Sequence, residues 1–555
     1  MTDWKDYPRP QLKRKHFSIL NGTWKLNGQN IVVPFPPQSK LSGFSDNITD
    51  DLVYEYNFNM PDDFVLSRTL IHFGAVDQIA ELWINDTLIG RHEGGYLPFS
   101  FDITEFIRSK NNKLKLKVTD SLSTDYPYGK QSLKGGGMWY TPVSGIWQTV
   151  WLENVPDKYI QNIIITPDKT GITVKCIGAD SFKAIINLTD DNLTLASPTD
   201  TLHIDFSDIV SDNGKKIIPK LWTVENPHLY NMTIISGEDE IQTYFALRTI
   251  EIHDINGIQR VCLNGVPIFL HGVLDQGYYE DGIYLPEESA EYERDIIRMK
   301  ELGFNTLRKH IKIEPELFYY YCDKHGMLVM QDMVNNGHYS YLKDTVLPTI
   351  GFRKRNDNRK NIKEEFRRDF FKKHMVETLQ HLYNHPCVIC YTIFNEGWGQ
   401  FESDSMYELA KRTDSTRLYD TTSGWFAHIK SDFDSEHVYF ITRTLHPKKK
   451  PMLLSECGGY TYKVKDHCFN PDKSYGYGTC KNASELTDRI LRMYHKMVLP
   501  AIPDGLCGCI YTQLSDVEDE INGFYTYDRA VCKVDSEKML DLSKKISKEI
   551  KTILC

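Results

Sequence analysis

Residues 387–394 read CVICYTIF, an eight-residue run in which only Thr392 is polar. A run that is apolar on both parities, and this short, belongs to a strand buried on both faces, and such strands need helices above and below them. The flanks supply those helices. Phe371, Met375, Leu379 and Leu382 recur at helical spacing and stop before His385 and Pro386, and a helix is expected near 403–412. The same alternation begins soon after residue 250. Tyr292, Ile296, Met299 and Leu302 stripe a helix that Gly303 can end, 304–308 is a strand, Pro315 opens a helix that Gly326 closes, and 327–332 is a strand. Further strands are expected at 417–422, 452–455 and 506–511. Strands alternating with helices over about 300 residues predict a (β/α)₈ (TIM) barrel at 251–555.

The first half has a different rhythm. YEYNFNM at 54–60 and KLKLKV at 113–118 alternate with period two, and 80–90 reads as two strands joined at Asn85 and Asp86. Residues 1–155 are therefore expected to form a jelly-roll β-sandwich. Short strands at 162–166, 171–175, 233–237 and 244–248 suggest a second, immunoglobulin-like sandwich at 156–250.

Composition removes several classes of function. A net charge of −10 leaves no broad basic face for a nucleic-acid partner. Twelve scattered cysteines include the close pairs 387/390 and 507/509, but both lie in apolar strands, so buried free thiols are expected rather than a zinc site. The N-terminal stretch has no apolar core, and no run approaches bilayer-spanning length, so a cytoplasmic location without membrane association is expected.

Two strands end in a carboxylate. In 387–397 the apolar run closes on Asn395, Glu396 and Gly397. In 451–459, PMLLSECGG, it closes on Glu456. Strand C-termini open onto the active-site face of a barrel, so a charge closing a buried run stands where chemistry occurs. In strand order Glu396 ends the fourth strand and Glu456 the seventh, which places them across the mouth from each other. Without a barrel, Glu396 would read as a carboxylate at a helix N-terminus. Glycosidic cleavage uses such a pair, one acid to protonate the leaving oxygen and one carboxylate to attack carbon or activate water. The small residues after each glutamate are expected to leave room for a sugar ring.

The chain resembles glycoside hydrolase family 2, the family of β-galactosidase and β-glucuronidase. The resemblance is carried by WINDTLIG (83–90), GGYLPF (94–99) and SGIWQTVW (144–151), which resemble the family's sugar-binding-type domain. LWTVENPHLY (221–230) resembles the end of its immunoglobulin-like domain, and RTIEI (248–252) with LNGVPIFLHGV (263–273) its entry to the barrel. The resemblance implies that Glu396 is the acid/base, that Asn395 holds the substrate's 2-hydroxyl, that Glu456 is the nucleophile and that Tyr439 stands beside it. It implies double displacement with retention, carboxyl groups about 5–5.5 Å apart rather than roughly 6.5–9.5 Å, and a Glu396 pKa raised before attack.

Further strand-end residues are candidates for sugar recognition: Asp275 after the first strand, Arg308 and His310 at the second, Asp332 at the third, Trp425 after the fifth, and Trp398. Arg308 and Asp332 read equally well as a structural ion pair, and the two tryptophans as packing. The chain departs from family patterns at LDQG (274–277), at RKH (308–310) and after the eighth strand, where TQLSDVEDE (512–520) replaces the Asn-x-Lys pair of β-glucuronidases. That acidic stretch would repel a uronate, although Lys312, Lys430 or Lys473 could supply a cation. A galactose-like neutral exo-substrate is therefore expected, with uronides or arabinosides as the alternative. The inserts 335–359 and 460–480, with Tyr462, Tyr475 and Tyr477, are expected to build the rim. No cofactor is legible, nor a ligand cluster for the Mg²⁺ or Na⁺ that some family members use. A non-catalytic carbohydrate-binding protein and an assembly scaffold are the other classes, and a homo-oligomer is compatible with the sandwich domains.

Overall fold

A computed structural model describes residues 4–553 apart from 190, 350, 353–363, 427–429 and 440. The first sandwich pairs a four-stranded sheet with a six-stranded one. Alternation explains the faces. In the strand Asn112–Thr119, Leu114, Leu116 and Val118 are fully buried, while Lys113 is exposed and Lys115 and Lys117 are half-buried. The hairpin Ile79–Ile84 to Thr87–Glu93 turns on Asn85 and Asp86, both left-handed (φ 50° and 67°), which gives the twist that two antiparallel strands need. The next segment forms antiparallel sheets of three and four strands that share one core, with Ile165, Val174 and Ile204 facing Ile186, Met232 and Ile234. The hairpin Ile250–Ile255 to Ile258–Leu263 then leads into the barrel. Buried Arg248 ties this junction to the barrel by donating to the Pro386 and Val388 carbonyls.

Eight parallel strands follow: β1 Leu270–Asp275, β2 Thr306–Lys309, β3 Leu328–Asp332, β4 Val388–Asn395, β5 Leu418–Ser423, β6 Asp434–Val438, β7 Met452–Gly458 and β8 Leu506–Thr512. Their hydrogen-bonded order is β5-β4-β3-β2-β1-β8-β7-β6, and β5 meets β6 to bring the ends of the sheet together. All but β6 are buried along their whole length, as expected of strands covered on both faces. The helices α1 Ala290–Glu301, α2 Glu316–His325, α3 Glu365–His381, α4 Ser403–Thr413, α5 Ala483–Met493 and α6 Ser536–Ile553 surround them. Gly326 closes α2 in the left-handed conformation (φ 68°), as its position predicts. The eleven described cysteines are free, and all but Cys468 and Cys532 are buried, so the close cysteine pairs are strand packing. No described helix is long and apolar enough to cross a membrane. Residues 350 and 353–359 of the first expected rim insert lie outside the described residues.

Candidate active site

Glu396 leaves β4 with a left-handed backbone (φ 52°), and Gly397 continues the turn (φ 69°). A Cβ on Gly397 would lie 2.4 Å from the Phe426 ring, and one on Gly459 would lie 2.5 Å from Tyr477. The glycines after the two glutamates therefore make room for aromatic side chains, not for a sugar, which corrects the reading of these small residues as open space.

The two carboxylates do converge. One oxygen of Glu396, one of Glu456 and a ring nitrogen of His437 all lie within 4.8 Å of one another. His437, on β6, brings Nδ1 to 2.8 Å from Glu396 Oε1 and 3.7 Å from Glu456 Oε2. The Tyr439 hydroxyl donates to Glu456 Oε2. Arg308 donates from Nη1 to Glu456 Oε1 at 3.0 Å and to the Ser455 carbonyl, from Nη2 to Asn395 Oδ1 (2.9 Å) and Ser423 Oγ, and from Nε to Asp332 Oδ1. Those five contacts use all five N–H groups of the guanidinium, so Arg308 has none left for a substrate. Burial by itself would push the Glu456 carboxyl up, but His437 and Arg308, with smaller help from His310 and Tyr439, hold it down at about 2. Glu456 is thus an ionised carboxylate held by a rigid fork.

The other candidates divide. Asn395 receives hydrogen bonds at Oδ1 from Arg308 and from Ser423 Oγ (2.8 Å), so its amide N–H₂ is the group left to offer. Asp332 is the ion-pair partner of Arg308 and also accepts His310 Nδ1 at 2.8 Å. Burial, offset in part by Asp332, lowers the His310 pKa, and with Nδ1 on Asp332 its Nε2 is the ring nitrogen left. Trp425 is half-buried with its ring 5.9 Å from His437, at the site. Asp275 is not joined to this cluster. Its carboxylate is used by Lys309 Nζ (2.5 Å) and the Gly277 N–H, within a buried network that also contains Glu314. Trp398 is buried edge-on against Tyr128, Trp139 and Tyr339 and donates to the Gly337 carbonyl. It is a packing residue rather than a sugar platform. Trp398→Ala is expected to cost about 3–5 kcal/mol of stability, measured by denaturant unfolding, with little change in KM for small aryl glycosides. A large KM rise without loss of stability would restore the stacking role.

His437 was missed. Its signal was available, since it lies two residues before Tyr439 near a strand end, and residues i and i+2 share one face of a strand. Glu396, His437 and Glu456 are also the one group of His, Cys, Asp and Glu among the described residues that converges closely enough to ligate a metal. The guanidinium of Arg308 beside Glu456 puts a fixed positive charge in the same pocket, which opposes a cation there.

A loop of the first sandwich completes the mouth. Tyr128 and Gly129 donate their N–H groups to the Asn335 carbonyl, and Trp139 packs on Trp398 and Tyr339. Tyr140 donates its hydroxyl to Glu520, and the Thr141 N–H donates to Glu518 Oε1 at 2.8 Å.

An eight-stranded barrel with two carboxylates meeting at the ends of its fourth and seventh strands has the architecture of a paired-carboxylate enzyme. Two family models match the chain, "Glycosyl hydrolases family 2, sugar binding domain" over residues 28–156 and "Glycosyl hydrolases family 2, TIM barrel domain" over 254–459. The chain belongs to glycoside hydrolase family 2. Among curated relatives, a β-galactosidase of Thermoanaerobacter pseudethanolicus is 25% identical over 78% of this chain and 58% of its own length. A putative β-glucuronidase of Formosa agariphila is 25% identical over 59% of this chain and 37% of its own. The chain thus spans little more than half of the first relative and less of the second. Among solved structures, a Ruminococcus gnavus β-glucuronidase has a TM-score of 0.72 at 17% identity, covering 98% of this chain and 99% of that one. A β-galacturonidase from Eisenbergiella tayi has a TM-score of 0.66 at 17% identity, covering 96% and 97%. At these identities the structural likeness concerns the fold.

Proposed function

We propose that this protein is a retaining exo-β-glycosidase that removes a terminal sugar of galactose-like configuration. The observation that carries this reading is the convergence of Glu396 and Glu456 oxygens within 4.8 Å. Retention by direct attack needs carboxyl groups about 5–5.5 Å apart, whereas inversion needs room for a water and roughly 6.5–9.5 Å. The galactose-like configuration is supported by the names of the curated relatives, several of which are β-galactosidases.

In the first step Glu456 attacks the anomeric carbon while Glu396 gives its proton to the departing glycosidic oxygen. The bond to the aglycone breaks as the ester to Glu456 forms. Water then attacks the same carbon, Glu396 takes its proton, and Glu456 leaves as carboxylate. His437, bridging both glutamates, and Arg308 position the pair, and the Asn395 amide is placed to hold the 2-hydroxyl. Proton NMR of the hydrolysis of a 4-nitrophenyl β-glycoside should show the β-anomer of the free sugar appearing first. The α-anomer first would mean inversion and overturn the mechanism.

A further inference from the structure

The glycosidase reading leaves open what the site recognises at C5 of the sugar. The lysines singled out from the sequence do not serve. Lys312 Nζ is buried and donates to the Gly277 and Tyr284 carbonyls and to Glu314, Lys430 pairs with Glu408, and Lys473 is exposed. Arg308 is saturated, and Lys309 is held by Asp275 and Glu314.

Among the described residues Lys130 is a further cation near the mouth, and it comes from the sandwich. Lys130 follows Gly129, whose N–H is bound to the Asn335 carbonyl after β3, and its own carbonyl accepts the Tyr140 N–H. A Cβ on Gly129 would lie 3.0 Å from the Ile311 carbonyl just beyond β2, so the backbone there lies directly on the barrel. Tyr140, on the returning arm of the loop, reaches Glu520 after β8. Both arms are thus fixed to the rim beside β2, β3 and β8. The Lys130 side chain is half-buried, and its ammonium is close enough to act on both His310 and Glu520. Among the described residues it has no ion-pair partner. The carboxylate it acts on, Glu520, is already hydrogen-bonded by Tyr140 and Asn522, which leaves the donors of the ammonium for a ligand.

We infer that Lys130, delivered by the sandwich loop, is the anchor for a carboxylate at C5 of the sugar, which makes the preferred substrate a uronide. The placement agrees with the chemistry, on which this inference rests. Glu396 stands at the end of β4, and the loop that carries Lys130 meets the rim beside β2, β3 and β8, next to His310 at the end of β2. Three of the four acidic residues after β8 are engaged, and the fourth, buried Asp519, lies against the sandwich loop at Gly136. Asp516 is paired with Lys533 at 2.6 Å, Glu518 accepts the Thr141 N–H, and Glu520 accepts Tyr140 and Asn522. Burial pushes the carboxyls of Glu518 and Glu520 up, toward their neutral forms.

The test compares 4-nitrophenyl β-galacturonide and β-glucuronide with the matching neutral glycosides, using the full chain, wild type, Lys130→Met and Lys130→Arg. Wild type should prefer a uronide. Lys130→Met should lower the ratio of kcat/KM for uronide over neutral glycoside by about 100-fold, the scale of a lost charge-assisted contact, and Lys130→Arg should recover part of it. Equal melting temperatures will show that each variant folds. A wild type that cleaves only neutral glycosides, or a Lys130→Met variant that lowers both kinds of substrate equally, would overturn the anchor while leaving the glycosidase reading intact. Failure of every glycoside, together with no labelling of Glu456 by a 2-deoxy-2-fluoro glycoside, would remove both.

Discussion

Replacing Glu456 with glutamine should abolish turnover of aryl β-glycosides, with kcat falling by at least about 10⁴-fold, as removal of a nucleophile does elsewhere. The amide keeps one oxygen for Arg308, turns its N–H₂ toward the Tyr439 hydroxyl oxygen, and cannot form the glycosyl ester. Glutamine also leaves the fork of Arg308 occupied, so the melting temperature should change far less than the rate. The companion variant Glu456→Gly opens a space beside the anomeric carbon while Glu396 remains to protonate the leaving group. Added azide should then restore cleavage of an activated aryl glycoside and yield the α-glycosyl azide, because the external anion attacks from the side Glu456 occupied and nothing displaces it afterwards. Full activity of the glutamine variant, or a β-azide from the glycine variant, would remove Glu456 from its role.

Arg308→Met should damage stability and catalysis together. The guanidinium is fully buried and contacts Asp332, Glu456, Asn395, Ser423 and the Ser455 carbonyl. Removing it strands two carboxylates in the barrel, and breaking a buried pair in this way costs about 3–5 kcal/mol. The second consequence concerns protonation. Burial pushes the Glu456 carboxyl up, and Arg308, after His437, is the group that most counters it. Without Arg308 the pKa of Glu456 rises. The nucleophile is active only as carboxylate, so the acid limb of kcat/KM should move to higher pH. Arg308→Lys restores the charge but not the five-donor fork, and should recover the acid limb better than the stability. Denaturant unfolding and a pH–rate profile check both effects. A methionine variant with wild-type unfolding and an unmoved acid limb would show that Arg308 does not hold the nucleophile.

Much of this protein was legible along the chain. Most strands of the barrel and its first four helices fall where apolar runs alternate with 3.6-residue stripes, while the polar strand Asp434–Val438 and the helices Ala483–Met493 and Ser536–Ile553 were not read, and the hairpin at Asn85 and Asp86 turns where two adjacent turn-forming residues interrupt a period-two pattern. Glu396 and Glu456 stood out for one physical reason. A carboxylate that closes a run buried on both faces has few places to go, and in a barrel the strand end is the place that is both solvated and shared with the other strands. Trp398 and Asp275 misled because position after a strand does not reveal which way a side chain turns. One is consumed by an aromatic cluster and the other by a lysine on the neighbouring strand.

Local periodicity determined the elements, their order and the two acids, because each of those depends on residues within one turn or one strand of each other. Only the tertiary structure decided that Arg308 spends every donor on holding the site, that His437 bridges the glutamates, and that Lys130 belongs to the mouth at all. Those facts depend on how strands close into a barrel and on how a sandwich docks against it. The Tyr140–Glu520 contact that secures the docking joins residues 380 positions apart, and no spacing in the chain encodes such a meeting.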